Sequence, residues 1–499
     1  MYNAIKMKLT LISITLFLLS GLSLAQVKPK STVKGIEHIR LEDLKRELYA
    51  MADPHFNGRS AGTLDEIKAS VWFAEQMRAA GLTPAGEDGT FFQFFSLVRN
   101  RVSKTSSISI GTRSIQLWKD VLVAQIAPAE INATLVYLGE ANKIDFTKID
   151  VKGKVVALQA TPDGINLNVS LPEWRYSRQQ QAKYGTELLA KGAVAIVFIG
   201  DEYAEHSWPH VKENFIRGTY DIEGGPNALI GPKPPVLWLH KDAAEWIKAE
   251  GLTASISIQI ETFTYPSVNI LGKTEGKDPV LSKEYVLLSG HPDAHGIRNV
   301  IGNDSICHGA DDNASVNVAM LAVARALKKS PGKRSSLLVI HGAEERGLLG
   351  SRWFTSHPTV PLTSIAAVLN GDMIGRNHPD SAALLGAQAP HKSSSELVAF
   401  ALDANKEGPH FKLDTLWDKT THKEGWYFRS DHVPYVRLGI PSLMYTTILH
   451  PDYHTPQDNA ANIDYEKLLK MTQWIYRTAR KVVDTEKRPA LEPNFKLER

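Results

Sequence analysis

Cysteine is nearly absent from this chain: Cys307 is the one cysteine among 499 residues. A single cysteine excludes an intramolecular disulfide framework, so the fold must be held together by its buried core. Charge of one sign is also scarce, because the formal net charge is only +3. Such a balance gives no electrostatic reason to expect nucleic acid or an anionic membrane as a partner. We interpret Cys307 as a small buried or half-buried residue rather than a reactive thiol or metal ligand.

The first residues have the features of an export signal. Lys6 and Lys8 precede the apolar stretch 9–19, and small residues follow up to Ala25, where a signal peptidase would cut. The apolar run is too short to cross a bilayer comfortably, which argues against a membrane anchor. We therefore predict a cleaved signal peptide at residues 1–25, a periplasmic or extracellular location, and no membrane contact after cleavage.

The pattern of predicted strands and helices changes twice along the rest of the chain. The chain is also longer than one ordinary hydrophobic core requires, so several folding units are expected. Short β-rich runs separated by Gly, Pro and Asn extend to about residue 262, with one helical segment at 177–191. From about residue 265 short apolar strands alternate with helices, which is typical of an α/β fold whose mainly parallel sheet carries helices on both faces. The predicted units are a discontinuous domain at 33–116 and 263–485, an inserted β-rich domain at 117–262, and a tail at 486–499.

Two segments have helical periodicity. The stretch 64–80 places Val71, Trp72 and Met77 near one side, and we expect that side to face the core. The stretch 314–327 is predicted to be a helix with one apolar face.

Residue types that bind metals stand where the predicted strands end. They are, in chain order, His291 and Asp293 after strand 285–289, Asp312 before the next helix, Glu344 and Glu345 after strand 336–340, Asp372 after strand 365–369, and His454 in a late loop. In parallel α/β sheets a ligand site lies beyond the carboxyl ends of the strands, so these side chains are expected to meet.

Five of these residues suit a pair of zinc ions, because zinc takes imidazole and carboxylate ligands and a catalytic site keeps a position for water. Two neighbouring ions need one bridging carboxylate and further ligands on each side. Asp312 can bridge. His291 and Asp372 would then complete one ion, and Glu345 and His454 would complete the other.

The two adjacent glutamates are expected to have different roles. Glu345 would bind metal, while Glu344 stays free to take the proton from the bridging water. Asp293 has the spacing to orient His291 from behind. Each motif alone has an ordinary explanation, such as a helix cap for paired aspartates or dipole complementation for paired glutamates. Their joint occurrence, in order and at strand ends, makes those explanations improbable.

The residues resemble the di-zinc aminopeptidase family, which also holds glutamate-carboxypeptidase-like enzymes and has the zinc exopeptidase (phosphorylase/hydrolase-like) fold. The matching segments are Gly-His-Pro-Asp (290–293), Gly-Ala-Asp-Asp-Asn-Ala-Ser (309–315), Ala-Glu-Glu-Arg-Gly-Leu-Leu-Gly-Ser (343–351), Asn-Gly-Asp-Met (370–373), Ser-Asp-His (430–432) and Asp-Tyr-His-Thr-Pro-Gln-Asp (452–458). The resemblance implies the same roles for the metal ligands and Glu344. It also implies that the hydroxyl of Tyr453 stabilises the tetrahedral intermediate.

The resemblance extends beyond the C-terminal half. Asn57-Gly58-Arg59 is similar to the N-terminal segment of the family, and the β-rich insert is similar to a protease-associated (PA) domain that could contact substrate or a partner protein. Pro292 and Val316 depart from the family pattern, and the loop 294–308 is long. These departures remove no ligand but change the expected shape of the pocket.

The expected function is an exported di-zinc aminopeptidase that acts on peptides. A carboxypeptidase or dipeptidase on the same site remains open, and Arg376, Arg429 and Asp431 are candidate residues for that choice. A glutaminyl cyclase is less favoured because that chemistry is associated with one zinc, and a non-catalytic binding protein would predict missing ligands. Trp417 and Trp426 could line a specificity pocket, although core packing is the commoner fate of such residues.

Overall fold

The computed structural model describes residues 33–499, so the predicted signal peptide at residues 1–25 lies outside the described residues. The strands in this part of the chain are β1 (Thr83–Pro84), β2 (Phe92–Val102), β3 (Ser107–Ile110), β4 (Arg113–Ile115), β5 (Val121–Gln125), β6 (Ala129–Glu140), β7 (Val155–Gln159), β8 (Ala195–Ile199), β9 (Thr219–Ile222), β10 (Val236–Leu239), β11 (Thr253–Ile258), β12 (Ile260–Thr274), β13 (Tyr285–Gly290), β14 (Gly296–Ile301), β15 (Asp304–Cys307), β16 (Ser335–Ile340), β17 (Ile365–Gly371), β18 (Ser381–Leu385), β19 (Lys412–Leu413) and β20 (Ser442–Thr446). The α-helices are α1 (Leu41–Met51), α2 (Leu64–Ala79), α3 (Pro172–Gln180), α4 (Thr186–Ala190), α5 (Glu202–Arg217), α6 (Val316–Lys329), α7 (Leu349–Ser356), α8 (Ser395–Lys406), α9 (His432–Arg437) and α10 (Tyr465–Asp484).

The main sheet has the strand order β19-β18-β20-β17-β13-β16-β12-β2-β9, with β1 paired to β12. Its centre is parallel, because β16, β13, β17 and β20 run in one direction. Antiparallel pairs flank this centre: β12 with β16 and β2 on one side, and β18 with β20 on the other. The predicted α/β fold class is confirmed, and its parallel part is the part from which the candidate ligands project.

Helices cover both faces of the main sheet. Val286 and Leu288 of β13 belong to one buried cluster, formed with α1, α6, α8 and α10, whereas Leu287 faces the opposite cluster, which includes residues of α7 and α9. This alternation explains why the central strands are rich in apolar residues and buried at nearly every position, as expected for strands covered on both sides. Within residues 33–499, every helix is too short or too polar to cross a lipid bilayer.

A second sheet, with the order β4-β3-β11-β6-β7-β8-β10-β5, is built from residues 107–258. Separate apolar clusters pack on its two faces, one of them including residues of α3, α4 and α5. Strands β3 and β4 belong to this sheet although they precede residue 117, the predicted start of the insert. Strand β9 lies within the predicted insert but pairs with β2 of the main sheet. The PA-domain assignment of the insert and its exact limits stay predictions.

Two local expectations need correction, and one helix was not predicted. Val71 is 47% exposed, because the buried side of α2 is formed by Glu66, Ala69, Ser70, Phe73, Ala74 and Met77. Helix α6 is not apolar on one face only, since its residues are buried almost all round. Helix α5, which contains Pro209, has no counterpart among the predicted segments, because an internal proline argues against a helix.

Candidate metal centre

The predicted metal-binding residues lie together at the carboxyl ends of the central parallel strands. Strands β13, β16 and β17 end just before His291, the Glu344–Glu345 pair and Asp372, respectively, and His454 lies in the loop after β20. Asp312 precedes α6, and its peptide bond with Asn313 is cis. Because parallel strands end at one edge of a sheet, residues far apart in sequence converge there.

Asp312 occupies the middle of the cluster. Its Oδ1 lies 3.3 Å from His291 Nε2, and its Oδ2 lies 3.1 Å from His454 Nε2. The two carboxylate oxygens therefore face two different histidines, which is the arrangement a bridging ligand requires.

The ligand atoms form two groups, within each of which they lie no more than 4.8 Å apart. His291, Glu344 and Asp372 form one group, and His295, Glu345 and His454 form the other. Glu344 thus faces the first group, with its Oε2 3.8 Å from His291 Nε2. His295 lies in the long loop 294–308 and is not among the metal ligands predicted from the sequence, so the structure adds it to the second group.

The chemistry of these side chains suits cations. Among the described residues, the buried atoms His291 Nε2, His454 Nε2 and Glu345 Oε1 have no hydrogen-bond partner. Buried polar atoms are normally hydrogen-bonded, so atoms that converge without a partner are what a metal site requires. The imidazole and carboxylate donors present therefore fit zinc.

The electrostatics of the cluster lead to the same conclusion. Burial and the negative charge of Asp312 raise the pKa of Asp372 to about 7. Burial also raises the pKa of Glu344 well above its ordinary value, despite the opposing effect of His291. Buried carboxylates resist ionisation when their charge is uncompensated, and divalent cations would supply the missing positive charge.

Asp293 supports both glutamates. Its Oδ1 accepts a hydrogen bond from the backbone N–H of Glu344 at 3.1 Å, and its Oδ2 accepts one from that of Glu345 at 3.2 Å. Asp293 contacts His291 through its backbone rather than through its carboxylate. The backbone carbonyl oxygen of Asp293 lies 3.1 Å from His291 Nδ1, whereas the carboxylate Oδ1 lies 3.7 Å from the same nitrogen. The Asp293 carboxylate thus positions the Glu344–Glu345 turn directly.

Two supporting residues lie in segments quoted from the sequence without an individual role. The buried guanidinium of Arg59 donates to the carbonyls of Pro292, His308, Gly309 and Met51. The carboxylate of Asp458 accepts hydrogen bonds from the backbone N–H groups of Asp311 and Asp312. Chain spacing could not identify these contacts, because Arg59 reaches carbonyls more than 230 residues away.

Tyr453 lies next to His454, with its ring stacked on the imidazole at a centroid distance of 3.6 Å. Arg429 Nη2 donates a hydrogen bond to the Tyr453 hydroxyl at 3.0 Å. Burial raises the pKa of Tyr453 well above its ordinary value, although Arg429 opposes this. The hydroxyl is therefore protonated at neutral pH and can donate a hydrogen bond.

An open cleft of about 860 Å³ leads to these residues. It is lined by Glu344, Glu345, Tyr453 and His454, together with residues of the insert that include Trp174 and Arg217. Arg429 also lines the cleft, whereas Arg376 contacts Asp452 and Asp431 is fully buried.

Three further residues from the sequence have defined positions. Cys307 is buried and its Sγ lies 3.8 Å from the carbonyl oxygen of His454, and burial raises the pKa of its thiol to about 11. The thiol is therefore uncharged at neutral pH. Trp426 packs behind Tyr453 at 6.0 Å, and Trp417 packs on Trp426 at 5.7 Å, so both contribute to a core cluster.

Comparison with known proteins finds relatives of this chain among peptidases. Residues 269–479 match the sequence profile of Peptidase family M28. Aminopeptidase YwaD of Bacillus subtilis (strain 168) is 25% identical over 439 residues, which cover 86% of this chain and 82% of that protein. A probable leucine aminopeptidase 2 of Aspergillus oryzae is 26% identical over 273 residues, covering 49% of this chain and 51% of that protein.

Solved structures share the fold over most of the chain. The structure of BSAP, a zinc aminopeptidase from Bacillus subtilis, superposes with a TM-score of 0.57 and 21% identity, covering 92% of this chain and 99% of that one. An aminopeptidase from Aneurinibacillus sp. strain AM-1 gives a TM-score of 0.55 at 18% identity, covering 92% and 97%. The segment that matches Peptidase family M28, residues 269–479, contains all five predicted metal ligands, so the resemblance to the zinc aminopeptidases is confirmed over this segment.

Proposed function

We propose that this protein is a zinc aminopeptidase that uses two zinc ions to hydrolyse the N-terminal peptide bond of its substrates. The observation that carries the proposal is the position of Asp312, whose two oxygens face His291 at 3.3 Å and His454 at 3.1 Å. In this assignment His291, Asp312 and Asp372 hold one ion, and Asp312, Glu345 and His454 hold the other. When bound, the ions would polarise the scissile carbonyl and lower the pKa of water.

Glu344 is assigned as the general base. Its carboxylate lines the cleft and faces the His291 group, while its backbone is held by Asp293. From this position it can take the proton of the attacking water and then deliver it to the leaving amine, as general acid–base catalysis requires. Glu345 cannot share this role, because His295 and His454 lie 3.0 and 3.2 Å from its two oxygens.

Tyr453 and Arg429 are assigned to the oxyanion. Because Arg429 donates to the oxygen of the Tyr453 hydroxyl, the hydroxyl proton is left to point towards the cleft. A fixed donor aimed at developing negative charge stabilises the tetrahedral intermediate. Glu424 holds Arg429 from behind, with Oε2 3.2 Å from Arg429 Nη1.

A second candidate activity keeps the site and changes the substrate end that is recognised. Arg217 and Arg298 both line the cleft and both donate to Oδ1 of Asn214, at 3.0 and 2.7 Å. Two guanidinium groups on one wall could bind the C-terminal carboxylate of a short peptide, which favours a carboxypeptidase or dipeptidase. The metal chemistry would be the same in each case.

A panel of free, N-acetylated and C-amidated dipeptides separates these activities. We expect turnover of the free and C-amidated forms and none of the N-acetylated form, because an aminopeptidase requires a free amine. Turnover of the N-acetylated forms with loss of the C-amidated ones would instead establish a carboxypeptidase. A strict requirement for both free ends would establish a dipeptidase.

The adjacent glutamates provide the mechanistic test. Glu344→Gln keeps the shape of the side chain but cannot accept a proton, so kcat should fall by about 10²–10⁴-fold or more while zinc content is kept. Glu345→Gln is the matched control and should lose zinc as well as activity. The opposite pattern would reverse the two roles, and full activity in both variants would exclude this hydrolytic site.

Export and the role of the insert belong to the same proposal. We assign residues 1–25 as a signal peptide and residues 117–262 as a PA-like domain whose Leu171, Trp174 and Arg217 contact substrate across the cleft. Mass spectrometry of protein from its native host should find a mature chain that begins at Gln26 or within a residue or two. A mature pool that retains Met1 would contradict the export assignment.

A further inference from the structure

His295 is a buried histidine for which the five-ligand assignment has no role. His295 is 8% exposed, and neither of its ring nitrogens has a hydrogen-bond partner among the described residues. Its Nε2 lies 3.0 Å from Glu345 Oε2, but without the geometry of a hydrogen bond. Its ring meets that of His454 edge-on, with centroids 3.8 Å apart.

The backbone around His295 is held in place from both sides. The N–H of Ala294 donates to the carbonyl of Arg59 at 3.4 Å, and the N–H of Gly296 donates to that of Gly58 at 3.0 Å. The hairpin of β14 and β15 begins at Gly296, where φ is +74° and an added Cβ would lie 2.8 Å from Ser60 Cβ. The close approach requires glycine there, so the position of His295 is set by the fold rather than by a free loop.

We propose that His295 is a sixth protein ligand of the metal centre and binds the same zinc ion as Glu345 and His454. The inference rests on the proposed di-zinc function. The atoms of these three side chains that can bind metal lie within 4.8 Å of one another. With Asp312, this ion has four protein donors, whereas its neighbour has His291, Asp312 and Asp372.

The extra donor makes the two zinc sites unequal. A site with more protein ligands loses its ion more slowly, so the ion at His295 is the one that resists chelation. Zinc in catalytic sites can expand to five ligands, and the additional imidazole therefore leaves room for water. The same donor narrows the cleft beside Glu345, because His295 itself lines it.

Metal affinity in His295→Ala and His295→Gln tests the proposal on the full mature chain. Zinc content measured during titration with a chelator should show two ions in the wild type, one released well before the other. In both variants the affinity of the tighter ion should fall by about tenfold or more, since loss of even an indirect metal contact costs 10- to 100-fold. His308→Gln is the matched control, because this histidine lies in the same segment but pairs with Asp304 at 2.8 Å, and its zinc affinities should stay unchanged.

Cobalt(II) gives a second readout that does not depend on activity. In the cobalt-substituted enzyme the visible absorption reports the number of ligands, and we expect it to change in both His295 variants but not in His308→Gln. Folded variants with unchanged zinc affinities and an unchanged cobalt spectrum would overturn the role of His295. A wild type that binds one ion would instead refute the two-zinc function, and weaker binding of that ion in the variants would still support His295 as its ligand.

Discussion

The carboxylate of Asp458 holds the backbone of Asp312, with its Oδ2 accepting a hydrogen bond from the Asp312 N–H at 3.0 Å. Its other oxygen accepts from the neighbouring N–H of Asp311 at 2.8 Å. Both hydrogen bonds fix the backbone of the turn that carries the Asp312 carboxylate, the central group of the metal centre. Asp458 is itself buried, so its two hydrogen bonds are shielded from solvent.

Replacing Asp458 by Asn removes one of these acceptors and leaves a backbone N–H facing an amide. We expect zinc affinity to fall by about 10- to 100-fold, as for other residues that orient metal ligands. Chelator competition measures this effect. Asp464→Asn is the control, because Asp464 caps α10 and Asn is an equally good cap residue. Equal zinc affinity in both variants would show that Asp458 does not support the centre.

Asp312→Ala should remove both zinc ions together, because its two oxygens face the two halves of the site. Asp372→Ala is the comparison. Asp372 lies with His291 in one of the two ligand groups, so its loss should release the ion of that group before the other. Elemental analysis after gel filtration gives the zinc-to-protein ratio of each variant. Retention of one full equivalent by Asp312→Ala would mean that the bridge has been assigned to the wrong residue.

Arg59→Met should lower the free energy of unfolding by about 3 kcal/mol or more, because hydrogen bonds from a charged group are worth roughly 1.5–3 kcal/mol each. Burial lowers the pKa of Arg59 to about 10, so the guanidinium is still charged at neutral pH. Urea unfolding measures the change. Arg78→Met should have little effect, because this exposed arginine pairs with Glu75 in its own helix and lies over the ring of Phe91, without donating to a buried carbonyl. A small loss for Arg59→Met would show that these carbonyls find other partners.

His391 should make stability depend on pH. Burial lowers its pKa, but Asp418 and Glu498, each 2.8 Å from a ring nitrogen, outweigh burial and raise it above 6.5. Because the folded pKa is the higher one, the protonated histidine stabilises fully below about pH 6.5. This stabilisation is lost as the pH rises through the folded pKa. Tyr427 stacks on the ring at 3.9 Å and restricts its movement.

The melting temperature should therefore decrease less from pH 6 to pH 9 in His391→Gln than in the wild type. Both proteins keep the metal centre, so its own titration cancels in the comparison. His55→Gln, at an exposed histidine, should follow the wild type. Equal losses in His391→Gln and wild type would show that the contacts of His391 with Asp418 and Glu498 contribute nothing to the pH dependence of stability.

Much of the fold could be predicted because its signals are local. Strands β13, β16 and β17 are short apolar runs, and the polar residues after them mark the edge of the sheet. The helix α2 was also predicted, but its buried side was not. Glu66 is fully buried there and accepts hydrogen bonds from Gly62 and Ser267, so polar residues do not mark the exposed face of this helix.

The chemistry of the site follows from residue types and their order, since zinc ligands and a base are recognisable wherever parallel strands end. Which atoms face one another is a different matter, because it depends on contacts between segments hundreds of residues apart. Arg59 joins two ligand loops from the N-terminal region, and His295 reaches Glu345 through a hairpin that the chain pattern showed only as a long loop. Such contacts arise from packing in three dimensions, and no periodicity along the chain encodes them.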